Sequence, residues 1–198
     1  ANVWNITANN AGNIGGAGVF DFVSFENLTG GGAADTFNWS TGVNLSGTLN
    51  GGAGSDTLAG ANVANTWSIS ANNGGDLNGA VGFINIENLT GNSAADTFNF
   101  WDGMFVDGTV DGAGGSDTLN YGAYSGAVTV NRQTSAATGT GGFASIERVV
   151  GGAASTNDTL VGADVPNTWN ITANGAGNIG GAFDFSGFEN LTGGGAAD

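Results

Sequence analysis

Short runs in which apolar and polar residues alternate recur along the chain, as in Thr66-Trp67-Ser68-Ile69-Ser70 and Ala127-Val128-Thr129-Val130-Asn131. A period of two belongs to a strand with one buried face. Glycine, alanine and asparagine fill the spaces between these runs and mark turns, as in Gly30-Gly31-Gly32-Ala33-Ala34 and Gly51-Gly52-Ala53-Gly54. Apolar residues at helical spacing are always cut by glycine, so no helix is predicted.

A slower rhythm lies over the alternation. Asn13, Asp35, Asp56, Asp76, Asp96, Asp117, Asp158, Asn178 and Asp198 follow one another at steps of 20 to 22 residues, with one step of 41. Seven residues before most of them stands an aliphatic: Ile6, Leu28, Leu49, Ile69, Leu89, Val110, Ile171 and Leu191. Two residues after come Phe37, Leu58, Phe98, Leu119 and Leu160. A fixed period near twenty is the mark of a solenoid, whose repeats bury their apolar faces only against one another. The expected fold is therefore all-β: a parallel β-helix of about ten coils of roughly 20 residues, with two or three short strands per coil. Residues 1–198 read as one continuous segment in which Leu28, Leu49, Ile69 and Leu89 form a single inward-facing line.

Residues 4–35 recur almost unchanged at 169–198, and neither end carries a polar cap. That pattern points to a slice of a longer repeat array, or to a unit that stacks end to end. The expected partners are copies of itself or neighbouring solenoid segments. In Phe25-Glu26-Asn27-Leu28-Thr29-Gly30, and its relatives at Ile86 and Phe188, two apolar residues stand three apart, which calls for a bend. The bend is expected to leave Glu26, Glu87, Glu147 and Glu189 outside, with Asn27, Asn88 and Asn190 at the corner.

Composition narrows the partners further. The formal charge is −15, from 17 acidic residues against Arg132 and Arg148, with no lysine and no histidine. Nucleic acid and anionic membrane surfaces need clustered cations, so neither is expected as a partner. No apolar run is long enough to insert in a membrane. Without cysteine, histidine or lysine there can be no thiolate or zinc site and no nucleophile-base triad, and no enzyme is expected. The 39 glycines could suggest disorder, but 40% hydrophobic residues and five tryptophans oppose that reading.

Candidate chemistry lies in the loops. Residues 51–59, Gly-Gly-Ala-Gly-Ser-Asp-Thr-Leu-Ala, fit the nonapeptide G-G-x-G-x-D-x-U-x at every specified position. Asp35, Asp56, Asp76, Asp96 and Asp117 are expected to form one stacked column beside the loop backbone of Gly51, Gly52 and Gly54. Two readings of that column stand: a calcium site, or turn aspartates that bond backbone N–H groups. Trp4, Trp67 and Trp169 share the parity of the buried aliphatics and are expected in the core, which leaves Trp39 and Trp101 as candidate sugar platforms.

Strings such as NTWNITANGAGNIGGAFDFSGFENLTGGGAAD resemble the repeats of giant bacterial surface proteins, the filamentous-haemagglutinin-like adhesins, and the glycine-aspartate loops resemble those of RTX repeat proteins. The resemblance implies export from a bacterial cell to its surface or into a secreted fibre. It also implies a structural role as stalk, adhesin or fibre. Calcium at the loops and surface glycans are the candidate ligands. A calcium-dependent carbohydrate-binding module and a polysaccharide-active β-helix enzyme are the alternatives.

Overall fold

In the computed structural model, residues 1–15, 19–196 and 198 are described; they contain strands and no helix. The strands form three open sheets of eight, eleven and four strands, in which parallel and antiparallel pairs are mixed. Along the chain the strands alternate between the eleven-stranded sheet and the other two. Leu28–Gly31, Thr48–Gly52, Thr97–Phe100, Thr118–Asn120 and Arg148–Val150 belong to the large sheet. Thr36–Trp39, Thr57–Ala59, Asn88–Thr90 and Val106–Asp111 belong to the eight-stranded one. Single strands pair in parallel with strands one full pass later, as Phe37 with Leu58, Leu89 with Val110 and Phe98 with Leu119.

At three places the single strand is replaced by an antiparallel meander. These are Val3–Ala8, Ala11–Ile14 and Phe20–Val23; Thr66–Ala71, Gly74–Leu77 and Val81–Ile84; and Trp169–Ala173, Ala176–Ile179 and Phe183–Ser186. Three strands reverse direction twice, so the chain leaves a meander along its original heading and the parallel stacking resumes. A looser fourth example joins the four-stranded sheet to the eight-stranded one. Here Thr129–Asn131 pairs with Ala136–Ala137, and the Phe143 N–H donates to the Ser135 carbonyl at 2.9 Å. Each first turn carries a residue in the left-handed region at Asn10, Asn73, Ser135 or Gly175, where asparagine and glycine are the least strained choices.

The true repeat is longer than the rhythm of the sequence suggests. Phe22 and Phe83, Leu28 and Leu89, Phe37 and Phe98, Leu49 and Val110, and Leu58 and Leu119 are each 61 residues apart. In every one of these pairs the two members lie in opposite sheets. A shift of one module thus exchanges the sheets, as a two-fold screw would. The meanders alternate sides in consequence, so that neither sheet widens at the expense of the other.

One hydrophobic core joins the sheets. Its recurring unit is an indole held between two rings: Trp67 stacks on Phe98 at 5.5 Å and meets Phe83 edge-on at 6.2 Å. Trp4 repeats the arrangement with Phe37 and Phe22. Both indoles are buried, and Trp169 packs partly buried against the same core.

Several expectations need correction. The sheets are mixed and open, where uniform parallel coils were expected. Asn13, Asp76 and Asn178 lie on the middle strands of meanders. A meander uses about as many residues as a plain two-strand pass, so the twenty-residue rhythm survives in sequence while the chain reverses in space. Leu28, Leu49 and Ile69 lie in the eleven-stranded sheet and Leu89 in the eight-stranded one, so they share a core but not a line. Ile171 and Leu191, expected inside, are exposed.

Trp67→Ala removes the ring between Phe83 and Phe98. We expect it to destabilise the fold by about 3–5 kcal/mol, the usual cost of deleting a buried aromatic, as read from the urea midpoint at constant m.

Candidate functional site: ladders of buried carboxylates

The acidic residues that begin the core strands define the most distinctive chemistry of the molecule. Asp35, Asp56, Asp96, Asp117 and Asp158 are at most 2% exposed. A carboxylate in that position needs a donor, and the neighbouring strand provides one. The Asn2 N–H donates to Asp35 Oδ1, the Asp35 N–H to Asp56 Oδ1 at 2.6 Å, and the Asp56 N–H to Glu87 Oε2 at 2.8 Å. In the opposite sheet the Asn65 N–H donates to Asp96 Oδ1, Asp96 to Asp117 Oδ1 at 2.7 Å, and Asp117 to Glu147 Oε2 at 2.9 Å. A third ladder passes from Val128 to Asp158 and on to Glu189. Each begins beside a meander, runs through one or two aspartates, and ends on the glutamate that follows the next meander.

These contacts separate the residues that sequence reasoning had placed in one column. Asp35 and Asp56 stand together, Asp96 and Asp117 stand together in the other sheet, and Asp76 belongs to neither ladder. Asp76 Oδ1 instead accepts the Gly79 N–H within its own turn. The glutamates were expected outside, yet Glu87 and Glu147 are half-buried, and both, with Glu189, serve as terminal acceptors. Their position after Ile86, Ile146 and Phe188 was visible, but their targets lie about thirty residues upstream and carry no sequence signal. At the corners, Asn27 Oδ1 accepts the Thr48 N–H and Asn88 Oδ1 the Thr109 N–H, both at 3.0 Å.

Only one oxygen of each carboxylate is used in this way. The Oδ2 atoms of Asp35, Asp56, Asp96 and Asp117 are buried without a hydrogen-bond partner, whereas Asp158 Oδ2 accepts the Gly152 N–H at 2.5 Å. Each free oxygen lies against a glycine five residues earlier. A methyl group on Gly51 would stand 2.6 Å from Asp56 Oδ2, and one on Gly112 would stand 2.5 Å from Asp117 Oδ2. Gly52 and Gly54, both at positive φ, face the backbone of Gly31 and of Ala33 and Ala34. The glycines of the nonapeptide therefore allow strands and carboxylates to approach closely. Among the described residues no three acidic side chains converge. A calcium ion here, which takes six to eight oxygens, would draw most of them from backbone carbonyls.

Burial has an electrostatic consequence. It raises the pKa of Asp117 to about 6; the Asp96 N–H opposes the shift, while the charges of Asp96, Glu147 and Asp111 add to it. Burial likewise raises Asp56, opposed by the Asp35 N–H and helped by Glu87 and Asp35, and it raises Asp96 against the Asn65 donors. Desolvation thus outweighs the hydrogen bonds at all three. Compared with family models, with curated proteins and with solved structures, the chain matches none.

The pH dependence follows in sign. Between the ordinary aspartate value and about 6 the folded chain holds more protons than the unfolded one, so stability falls as pH rises through that window. We expect a higher Tm at pH 5 than at pH 7.5, with a smaller difference in Asp117→Asn, measured by differential scanning calorimetry. Gly51→Ala should destabilise the fold by roughly 2 kcal/mol or more, because the new methyl meets both Asp56 Oδ2 and the Asn85 carbonyl. Urea titration checks it.

Proposed function

We propose that this chain is a structural segment of an extracellular bacterial β-solenoid, serving as the shaft of an adhesin or as a filament or matrix fibre. The observation that carries the reading is the exchange of sheets on the 61-residue shift that relates residues 22–58 to residues 83–119. A unit related to the next by a screw can be added without limit and without bending the array to one side. The outermost strands favour addition as well. Phe20–Val23 and Leu28–Gly31 lie at one extreme of the two large sheets, Trp169–Ala173 at the other extreme of the eleven-stranded one and Asn190–Thr192 at an extreme of the four-stranded one, each with no strand paired on its outer edge among the described residues. Copies of the chain, or neighbouring segments of the same repeat style, are the partners this geometry suits.

The role is mechanical. Backbone ladders run along the stacking direction and the carboxylate ladders tie each strand to the next, so the aspartates act as architecture and no catalysis is assigned to them. At the ~4.8 Å spacing of paired strands, the eleven-stranded sheet corresponds to a rod of roughly 50 Å. Negative-stain electron microscopy of the purified chain should show straight, unbranched rods or end-joined fibres of uniform width. Round particles with no long axis would remove the reading.

The unpaired Oδ2 atoms favour a second reading, in which calcium binds between neighbouring strands and stiffens the array. On that reading Tm rises by several degrees in millimolar calcium and returns with chelator. An unchanged Tm removes the ion.

A further inference from the structure

The two outermost faces of the stack are open versions of surfaces that the interior covers. On one face Asn167, Trp169, Leu191 and Asp198 line a single groove of about 550 Å³. Subtracting 102 from their numbers gives Asn65, Trp67, Leu89 and Asp96. The bonding matches as well: the Asn167 N–H donates to Asp198 Oδ1 at 2.9 Å, as the Asn65 N–H donates to Asp96 Oδ1 at 2.6 Å. Both asparagine amides also donate to the carbonyl four residues earlier. In the interior this groove is filled. Phe98 stacks on Trp67, Val110 pairs with Leu89, and Trp67 and Leu89 are fully buried. Trp169 is only half-buried, and Leu191 is 37% exposed.

On the opposite face Trp4, Phe20, Phe22, Phe25 and Leu28 line one apolar groove of about 160 Å³. Adding 61 to Phe20, Phe22, Phe25 and Leu28 gives Val81, Phe83, Ile86 and Leu89, all at most 2% exposed. These interior residues are covered by two parallel strands, which set Leu49 opposite Phe83 and Leu58 opposite Leu89. Among the described residues no strand takes that place on the open face, and Phe20 and Phe25 stand 59% and 55% exposed. Each face thus lacks a pair of parallel strands with inward apolar residues, and the other face presents such a pair.

We propose that the two faces are the halves of one joint, each occupied by the opposite face of a second copy of this chain. The looser meander joins the four-stranded sheet to the eight-stranded one. A copy displaced along the stack therefore sets its Phe20–Val23 on Asn190–Thr192 and its Leu28–Gly31 on Trp169–Ala173. Both junctions have an interior precedent. Leu191 meets Phe22 of the next copy as Leu49 meets Phe83 and Val149 meets Phe185, while Leu28 of the next copy covers Trp169 as Phe98 covers Trp67. Main-chain hydrogen bonds supply the affinity of a strand added to a sheet edge, and the apolar side chains set its register. The contact is head-to-tail, so each copy uses both faces once and growth is open-ended. This joint rests on the mechanical reading above and specifies how one unit meets the next. The charge of −15 on each copy opposes it, and salt favours it by screening.

The test is sedimentation velocity of the intact chain in about 0.5 M sodium chloride. The unmodified chain should form oligomers whose size rises with concentration. Phe20→Lys closes one face and Leu191→Lys the other, so each variant alone should stay monomeric. Mixed in equal amounts, the two should form a dimer and nothing larger, because one open face of each kind remains. Trp101→Ser, at an exposed ring in the middle of the eleven-stranded sheet, should leave association unchanged. The register is read with cysteines, of which the chain has none of its own. Val23 and Thr192 are exposed and fall opposite each other in the joint, as Ile84 falls opposite Asn50. A chain carrying Val23→Cys and Thr192→Cys should oxidise to a ladder of covalent oligomers. Asp21→Cys with Thr192→Cys is two residues out of register and should give at most about a tenth as much. A chain that stays monomeric to its solubility limit overturns the proposal. So do oligomers that persist in either lysine variant, or a ladder that favours Asp21→Cys. Straight rods that remain monomeric remove the joint and leave the mechanical reading standing, whereas round particles that still pair through these faces remove the mechanical reading alone.

Discussion

A backbone N–H at the entrance to each core strand has to be satisfied inside the protein, and the molecule satisfies it with a carboxylate from the next strand over. Asp56 receives the N–H of Asp35 and passes its own to Glu87; Asp117 stands between Asp96 and Glu147 in the same way. An unpaired donor in that place would cost about 1–3 kcal/mol. Filling it with an acid has its own cost, because the charge is taken from water, and the raised pKa of Asp117 records that cost. The small residue beside each carboxylate follows from the same packing: with anything larger than glycine at position 51 or 112, the strand could not lie where its neighbour's N–H can reach the acid.

The second constraint is balance. A meander inserts three strands where its partner sheet has one. If every meander fell in the same sheet, the two layers would grow at different rates and part. Even numbers of single strands separate successive meanders, as between Val23 and Thr66 and between Ile84 and Thr129, so insertions alternate between sheets. The core can then remain continuous from Trp4 to Phe188.

Much of this was readable from residue order, and the reason is local. Alternation in Thr97-Phe98-Asn99-Phe100 sets which side chains are buried, and the structure buries both rings. Trp4 and Trp67 went inside on parity alone. The recurring aspartates were visible as a rhythm, and Asp35, Asp56, Asp96, Asp117 and Asp158 each stand just before a strand while Asp76 does not. Their partners could not be seen, because a ladder step spans 21 residues between plain strands and about thirty across a meander. Trp39 and Trp101 looked alike in sequence. They differ because Trp39 continues a core strand, while Trp101 lies one residue beyond the end of one.

By itself, then, the sequence determined that the chain is all-β, that side chains such as Trp4, Trp67, Phe98 and Phe100 face inward, and that acids recur along it, since each of these depends on neighbours within a few positions. Tertiary structure alone decided where the chain reverses, which sheet each strand joins, and which acid meets which N–H. Those outcomes depend on how many strands each sheet must accommodate before its apolar face is covered, a sum over the whole molecule that no short stretch of residues contains.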